Sequence, residues 1–216
     1  MGAVKLGPMN RSKSSTKAGA GRPHEVRIIG GAWRRTRLPV ADRPGLRPTP
    51  DRVRETLFNW LASLAGASGG ELPGWRCIDV FAGTGALGFE AASRGAAEVL
   101  VCEQDAALLQ QMKATRDKLQ ADAVQVQRGD GAAWLERSSP RHWHAIFLDP
   151  PFEQAALYER ALKAAAAALQ PDGVVYLEAD QAWTDERLAP YGLAVFRHLK
   201  AGAVHAHLLK PLAPAT

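Results

Sequence analysis

The chain has 216 residues, 46% of them hydrophobic and 23% charged, a composition that suits a soluble globular domain and excludes a chain disordered throughout. No run approaches the ~18 uninterrupted apolar residues of a membrane-spanning helix, and Cys77 and Cys102, both inside apolar runs, supply neither a disulfide framework nor a thiolate zinc site and fit a reducing cytoplasm. The formal charge is +5, but residues 1–54 carry 13 basic side chains against 3 acidic ones and the remainder 14 against 19, so a polyanion is expected at the leading end of a mildly acidic body.

Residues 1–24 hold Lys5, Arg11, Lys13, Lys17 and Arg22 with no acid and no apolar periodicity, which predicts a flexible basic arm rather than a secretory signal. Strand-like runs at 26–29 and 33–40 around Gly30-Gly31 predict a hairpin that turns Arg34, Arg35 and Arg37 toward phosphates. Pro48-Thr49-Pro50-Asp51 reads as a helix start with Thr49 as N-cap and Pro50 in the first turn, and Val53, Leu57, Trp60, Leu61 and Leu64 then recur at helical spacing. Hairpin and helix form an N-terminal extension over residues 25–65, packed on a core over residues 72–212.

In that core, strands at 76–80, 98–102, 123–127, 145–148 and 174–177 alternate with helices at 86–94, 106–119 and 155–169, the last stopped by Pro171-Asp172-Gly173. The order predicts an α/β fold with a Rossmann-like, mostly parallel, doubly wound sheet that binds ligands at the carboxyl ends of its strands. Runs at 193–199 and 204–209 predict an antiparallel hairpin at the sheet edge.

The first strand runs into Asp79, Phe81 and a turn containing Gly83, Gly85 and Gly88, which formally satisfies the G-x-G-x-x-G dinucleotide pattern. An acid at Asp79 repels a pyrophosphate and matches an ammonium group, so S-adenosylmethionine (SAM) is favoured over a nicotinamide or flavin. Glu103, 18 residues beyond Gly85, suits two ribose hydroxyls, and Asp130 after the third strand suits an adenine amino group. These three acids with Thr49, Phe81, Gly83 and Gly85 are the candidate cofactor set.

The fourth strand ends in Asp149-Pro150-Pro151-Phe152, a stiffened turn carrying an acid, a carbonyl without a competing donor and an aromatic ring. An exocyclic base amine is a poor nucleophile because its lone pair is delocalised into the ring. Acceptance of its hydrogens by the Asp149 carboxylate and the Pro150 carbonyl localises that pair, and Phe152 is placed to stack on the base. Arg47 beside Thr49 is assigned to the wall between cofactor and entering nucleotide.

Asp149-Pro-Pro-Phe152, the 79–85 turn, Arg27-Ile-Ile-Gly-Gly31 and the segment from Gly45 to Leu61 together resemble the RsmD family of bacterial 16S rRNA guanine-N2 methyltransferases over about residues 25–210. The resemblance implies one SAM-dependent domain that methylates a guanine of 16S rRNA in the 30S subunit or a late assembly intermediate, as a cytoplasmic monomer without a metal. Adenine-N6 methylation of DNA or RNA is the alternative within the enzyme class, since the tetrapeptide suits any planar exocyclic amine, and a non-catalytic RNA-binding assembly factor is the alternative outside it. Two features depart from the family: the 24-residue arm, and His205-Ala-His207 where the family has Tyr or Arg. His24, His142, His144 and His198 lack metal-ligand spacing and read as surface or rim residues.

Overall fold

Alternating apolar residues in the core strands demand a helix layer on each side of a sheet, and that is how the chain folds. The structure, a computed structural model, describes residues 26–40, 49–151 and 154–212. Strands β1 (Val26–Arg27) and β2 (Arg37–Leu38) precede helix α1 (Asp51–Leu64); then follow β3 (Arg76–Asp79), α2 (Ala86–Ser93), β4 (Glu98–Glu103), α3 (Ala106–Leu119), β5 (Val124–Arg128), α4 (Gly131–Glu136), β6 (Trp143–Leu148) and α5 (Ala155–Ala168). Strand β7 (Leu169–Ala179), the short helix α6 (Asp185–Leu188), β8 (Leu193–Ala201) and β9 (Val204–Pro211) complete it. The main sheet runs β5-β4-β3-β6-β7-β9-β8, parallel from β5 to β7 and antiparallel at β9 and β8.

Cys77, Phe147 and Tyr176 point to one face of the sheet, where Leu57, Phe58 and Leu61 of α1, Phe89 of α2 and Met112 of α3 cover them. Ile78, Ile146, Leu148 and Leu177 point to the other, against Leu135 of α4 and Ala161, Leu162 and Ala165 of α5. Strand order reverses between β3 and β6, so a crevice opens at their carboxyl ends, the usual ligand position in an open α/β sheet. Among the described residues no helix is long and apolar enough to cross a membrane.

The leading segment forms the hairpin the sequence predicts: β1 and β2 pair at Val26↔Leu38 and Arg27↔Arg37, and the Gly31 carbonyl accepts Arg34 N–H at 3.3 Å in the connection. Gly30-Gly31 also dock that connection onto α2, which the sequence does not show. The buried Glu90 carboxylate accepts the N–H groups of Ile29 (2.6 Å) and Gly30 (2.8 Å) and pairs with Arg94 Nε at 2.7 Å. Ala32 N–H donates to the Ser93 carbonyl at 2.7 Å, and a Cβ on Gly31 (φ +73°) would sit 1.8 Å from that oxygen, so only glycine permits the contact. Arg54 of α1 is fully buried; it donates to the Arg27 carbonyl at 2.9 Å and Asp51 at 2.6 Å and lies 3.9 Å from Glu90.

Two further boundaries move. Pro171-Asp172-Gly173 does not stop α5 but forms an irregularity inside β7, whose register on β6 jumps from Trp143↔Leu169 to Ala145↔Val174; the prolyl nitrogen has no hydrogen for the ladder, so the strand bulges there. Pro50, not Thr49, is the N-cap of α1, with no side-chain capping bond.

Candidate active site

Acids stand at or just beyond the carboxyl ends of four neighbouring strands, Asp79 and Glu103 closing β3 and β4, Asp149 directly after β6 and Asp130 two residues after β5. Asp79 closes β3, is 1% exposed and accepts Gly88 N–H at 3.0 Å across the glycine turn. Burial, reinforced by the negative field of Glu103, pushes its carboxyl up to about 7 against that hydrogen bond. Phe81, Gly83 and Gly85 form the turn into α2, with Gly85 left-handed (φ +76°) as its N-cap. Glu103 closes β4 and ties the turn to it: one oxygen accepts Gly83 N–H at 2.9 Å, the other accepts Gln104 (2.7 Å) and Asp105 (2.9 Å) N–H.

Asp130 after β5 caps α4 by accepting Ala132 and Ala133 N–H, and its second oxygen pairs with Arg160 at 2.5 Å. The Arg160 and backbone hydrogen bonds outweigh desolvation and hold this carboxyl below the usual range.

Asp149 and Pro150 follow β6 directly, across the crevice from Asp79. Desolvation first, then the charges of Glu178 and Asp79, raise the Asp149 carboxyl well above its ordinary value, opposed by a hydrogen bond from Thr49. Thr49 is buried, and its side chain also lowers the Glu178 carboxyl, against the burial that raises it. The Pro150 carbonyl accepts Tyr158 Oη at 3.5 Å, a weak contact shared with the Glu178 carbonyl at 3.2 Å. Arg47 and Phe152 lie outside the described residues, as does the 1–24 arm. Arg34, Arg35 and Arg37 are exposed on the loop and second strand of the docked leading segment.

With this geometry described, the chain can be set beside known proteins. The sequence profile of a family described as "Conserved hypothetical protein 95" matches residues 26–210. Ribosomal RNA small subunit methyltransferase D of Escherichia coli K12 is 44% identical over 147 residues, covering 68% of this chain and 69% of the relative; the protein of the same name from Haemophilus influenzae is 39% identical, covering 73% and 80%. The solved structure of the "putative methyltransferase yhhF" of E. coli superposes with a TM-score of 0.72 at 36% identity, over 88% of this chain and 99% of that one. The chain belongs to the RsmD family. It is a methyltransferase of the small-subunit ribosomal RNA class, and its sheet with the antiparallel edge is the RsmD fold.

Some participants in this RsmD-type site escape a reading by motif. Glu178, at the end of β7 and 3% exposed, accepts Tyr176 Oη at 2.8 Å; the signal that could have found it is an acid ending an apolar strand, as at Asp79 and Asp149. The histidines also resolve differently from their spacing. His144 accepts Arg76 N–H through Nδ1 at 3.1 Å inside the sheet. His198 of β8 and His205 and His207 of β9 stack across the hairpin, with His198 and His205 nitrogens 3.0 Å apart. His207 is buried and both its ring nitrogens are engaged, by Trp183 N–H (3.0 Å) and the Leu177 carbonyl (3.3 Å); desolvation pushes it down to about 4, so it packs as a neutral ring.

Proposed function

We propose that the protein transfers the methyl group of SAM to the exocyclic N2 amine of a guanine in 16S rRNA, acting as a monomer on the 30S subunit or a late assembly intermediate. The observation that carries the reading is the juxtaposition of Asp149 with Asp79: the turn suited to an amine and the acid suited to a cationic cofactor share one crevice. SAM brings a methyl on a sulfonium, with an ammonium, a ribose and an adenine. The donor set fits it: Asp79 meets the ammonium, Glu103 the ribose hydroxyls and Asp130 the adenine amine, while Phe81, Gly83 and Gly85 line the turn. A pyrophosphate would instead add negative charge where burial already disfavours ionised carboxyls.

The Asp149 carboxyl and the Pro150 carbonyl accept the two amine hydrogens and hold the nitrogen lone pair toward the methyl. Phe152 stacks on the base, Arg47 closes the wall beside Thr49, and Arg34, Arg35 and Arg37 hold phosphates. Guanine-N2 is favoured over adenine-N6 because family membership rests on the whole leading segment as well as the tetrapeptide. Incubation with labelled SAM and either small subunits or naked rRNA tests the reading: label is expected in 16S rRNA, and label confined to DNA would overturn it.

Two measurements probe the parts. S-adenosylhomocysteine, whose amine stays protonated, should bind more tightly as pH rises from 6 to 8, because its ammonium prefers the ionised Asp79 and that carboxyl titrates at about 7. The gain is at most ~10-fold per pH unit on the acid side for one linked proton. Calorimetry showing a flat or opposite trend, or the same trend in Asp79→Asn, would contradict the assignment. Changing Arg34, Arg35 and Arg37 to alanine should weaken RNA binding and flatten its logarithmic salt dependence by about one unit for each phosphate no longer neutralised, with turnover at saturating RNA retained.

A further inference from the structure

We propose that His198, His205 and His207 form a binding site for a zinc-class divalent ion, which clips β8 to β9 at the edge of the sheet. The site is independent of the methyl-transfer reading and departs from the expectation of a chain without a metal.

Strand register builds the site. His205 and His207 stand two apart on β9 and so share a face, and His198 is the Cα partner of His207 across the β8–β9 ladder. Three imidazoles therefore meet on one face of the hairpin. A nitrogen of each lies within 4.8 Å of the other two, the one such grouping of metal-ligating side chains among the described residues. Spacing along the chain links His205 to His207 but does not bring in a residue from the facing strand.

The hydrogens available to the rings show where the lone pairs are. A carbonyl can only accept and a backbone N–H can only donate, so His207 carries its hydrogen on Nδ1, 3.3 Å from the Leu177 oxygen, and its lone pair on Nε2, 3.0 Å from the Trp183 nitrogen. A metal-bound histidine has this arrangement, with its second nitrogen donating to a carbonyl. The ion takes the Nε2 lone pair in place of Trp183 N–H. His198 Nε2 and His205 Nδ1 are 3.0 Å apart on nearly parallel rings, with one hydrogen between them. On binding, that hydrogen moves to the far nitrogen of its own ring, so both lone pairs turn to the ion and no proton is lost.

A tetrahedral ion with bonds of about 2.0–2.1 Å holds its nitrogens about 3.3 Å apart. The facing pair is within a few tenths of an ångström of that span, and the exposed His198 ring can tilt to aim its lone pair. His207 is buried, His205 half-buried and His198 exposed, which anchors the ion on its inner side and leaves the fourth position to water. Imidazole suits zinc, nickel and copper(II), whereas magnesium, the usual companion of RNA, prefers oxygen. His205 pairs with Ala179, the last residue of β7, so the ion adds positive charge at the crevice end of the sheet.

Calorimetric titration of the chelator-treated, tag-free full chain with zinc chloride tests the site, with neither SAM nor RNA present. One ion per chain is expected at micromolar or tighter affinity, and magnesium at millimolar concentration should neither bind there nor compete. His198→Ala and His205→Ala should each weaken zinc binding at least about 100-fold, the upper end of what losing a mere supporting partner costs. Both side chains lie outside the buried core, so the unfolding temperature without zinc should stay that of wild type. Zinc should raise that temperature in wild type and in neither variant. His142→Ala, at the amino end of β6 and so the opposite end of the sheet, should bind zinc as wild type does. X-ray absorption of the zinc-loaded protein should show three imidazoles. No zinc binding, wild-type affinity in His198→Ala or His205→Ala, loss of binding in His142→Ala, or a shell of two imidazoles would overturn the site. Should either alanine variant fail to fold, the imidazole count decides alone.

Discussion

Replacing Asp149 by alanine is expected to lower the rate of methyl transfer by on the order of 1000-fold, within the range of a positioned acid–base group, while cofactor affinity stays within a few-fold. Asp149 sits directly after β6, and in the alanine variant the amine keeps only the Pro150 carbonyl as acceptor. That carbonyl already shares Tyr158 Oη at 3.5 Å, so the lone pair is left conjugated to the ring and poorly aimed. Asp79 and Glu103 are untouched, which is why binding and turnover should separate. Single-turnover rates beside calorimetric titration check this. Turnover within a few-fold of wild type would remove Asp149 from the chemistry.

Glu90→Ala is expected to destabilise the fold by about 3–5 kcal/mol, the usual result of breaking a buried, hydrogen-bonded ion pair. Its carboxylate sits at 0% exposure between the leading segment and α2, serving Ile29 N–H, Gly30 N–H and the Arg94 guanidinium, with Arg54 3.9 Å away. Alanine would leave the Arg94 guanidinium without its counter-charge and two backbone donors unpaired in the interior. The leading segment should undock, and RNA affinity should fall with it, because Arg34, Arg35 and Arg37 ride on that segment. Urea unfolding gives the stability change and Glu90→Gln, which keeps one acceptor oxygen, should lie between. A variant as stable as wild type would mean that the docking contributes nothing.

The parallel sheet and its edge hairpin were legible because strand periodicity and glycine punctuation are local properties of the chain. The acids at strand ends were legible for the same reason: Asp79, Glu103 and Asp149 each stand where an apolar run stops, and Asp130 follows the alternating strand 124–128. Contacts between distant segments were not. Gly30-Gly31 reads as a turn, and nothing local shows that Ser93 and Glu90 of α2 lie beneath it; nor does helix spacing show that Arg54 is buried between Asp51 and Glu90. Thr49 reads as a cap because its neighbours in sequence are a helix start, whereas its partners in space are two carboxyls far along the chain. The histidine stack on β8 and β9 depends on a strand register that places His198 opposite His207, which no spacing rule supplies.

The central claim, methyl transfer to a guanine N2 in 16S rRNA, is tested most directly by digesting 16S rRNA from treated small subunits to nucleosides and weighing the methylated product. N2-methylguanosine appearing only with active protein and SAM, and lost with Asp149→Ala, is the predicted result. N6-methyladenosine, or no new methylated nucleoside on subunits that lack the modification, would contradict it.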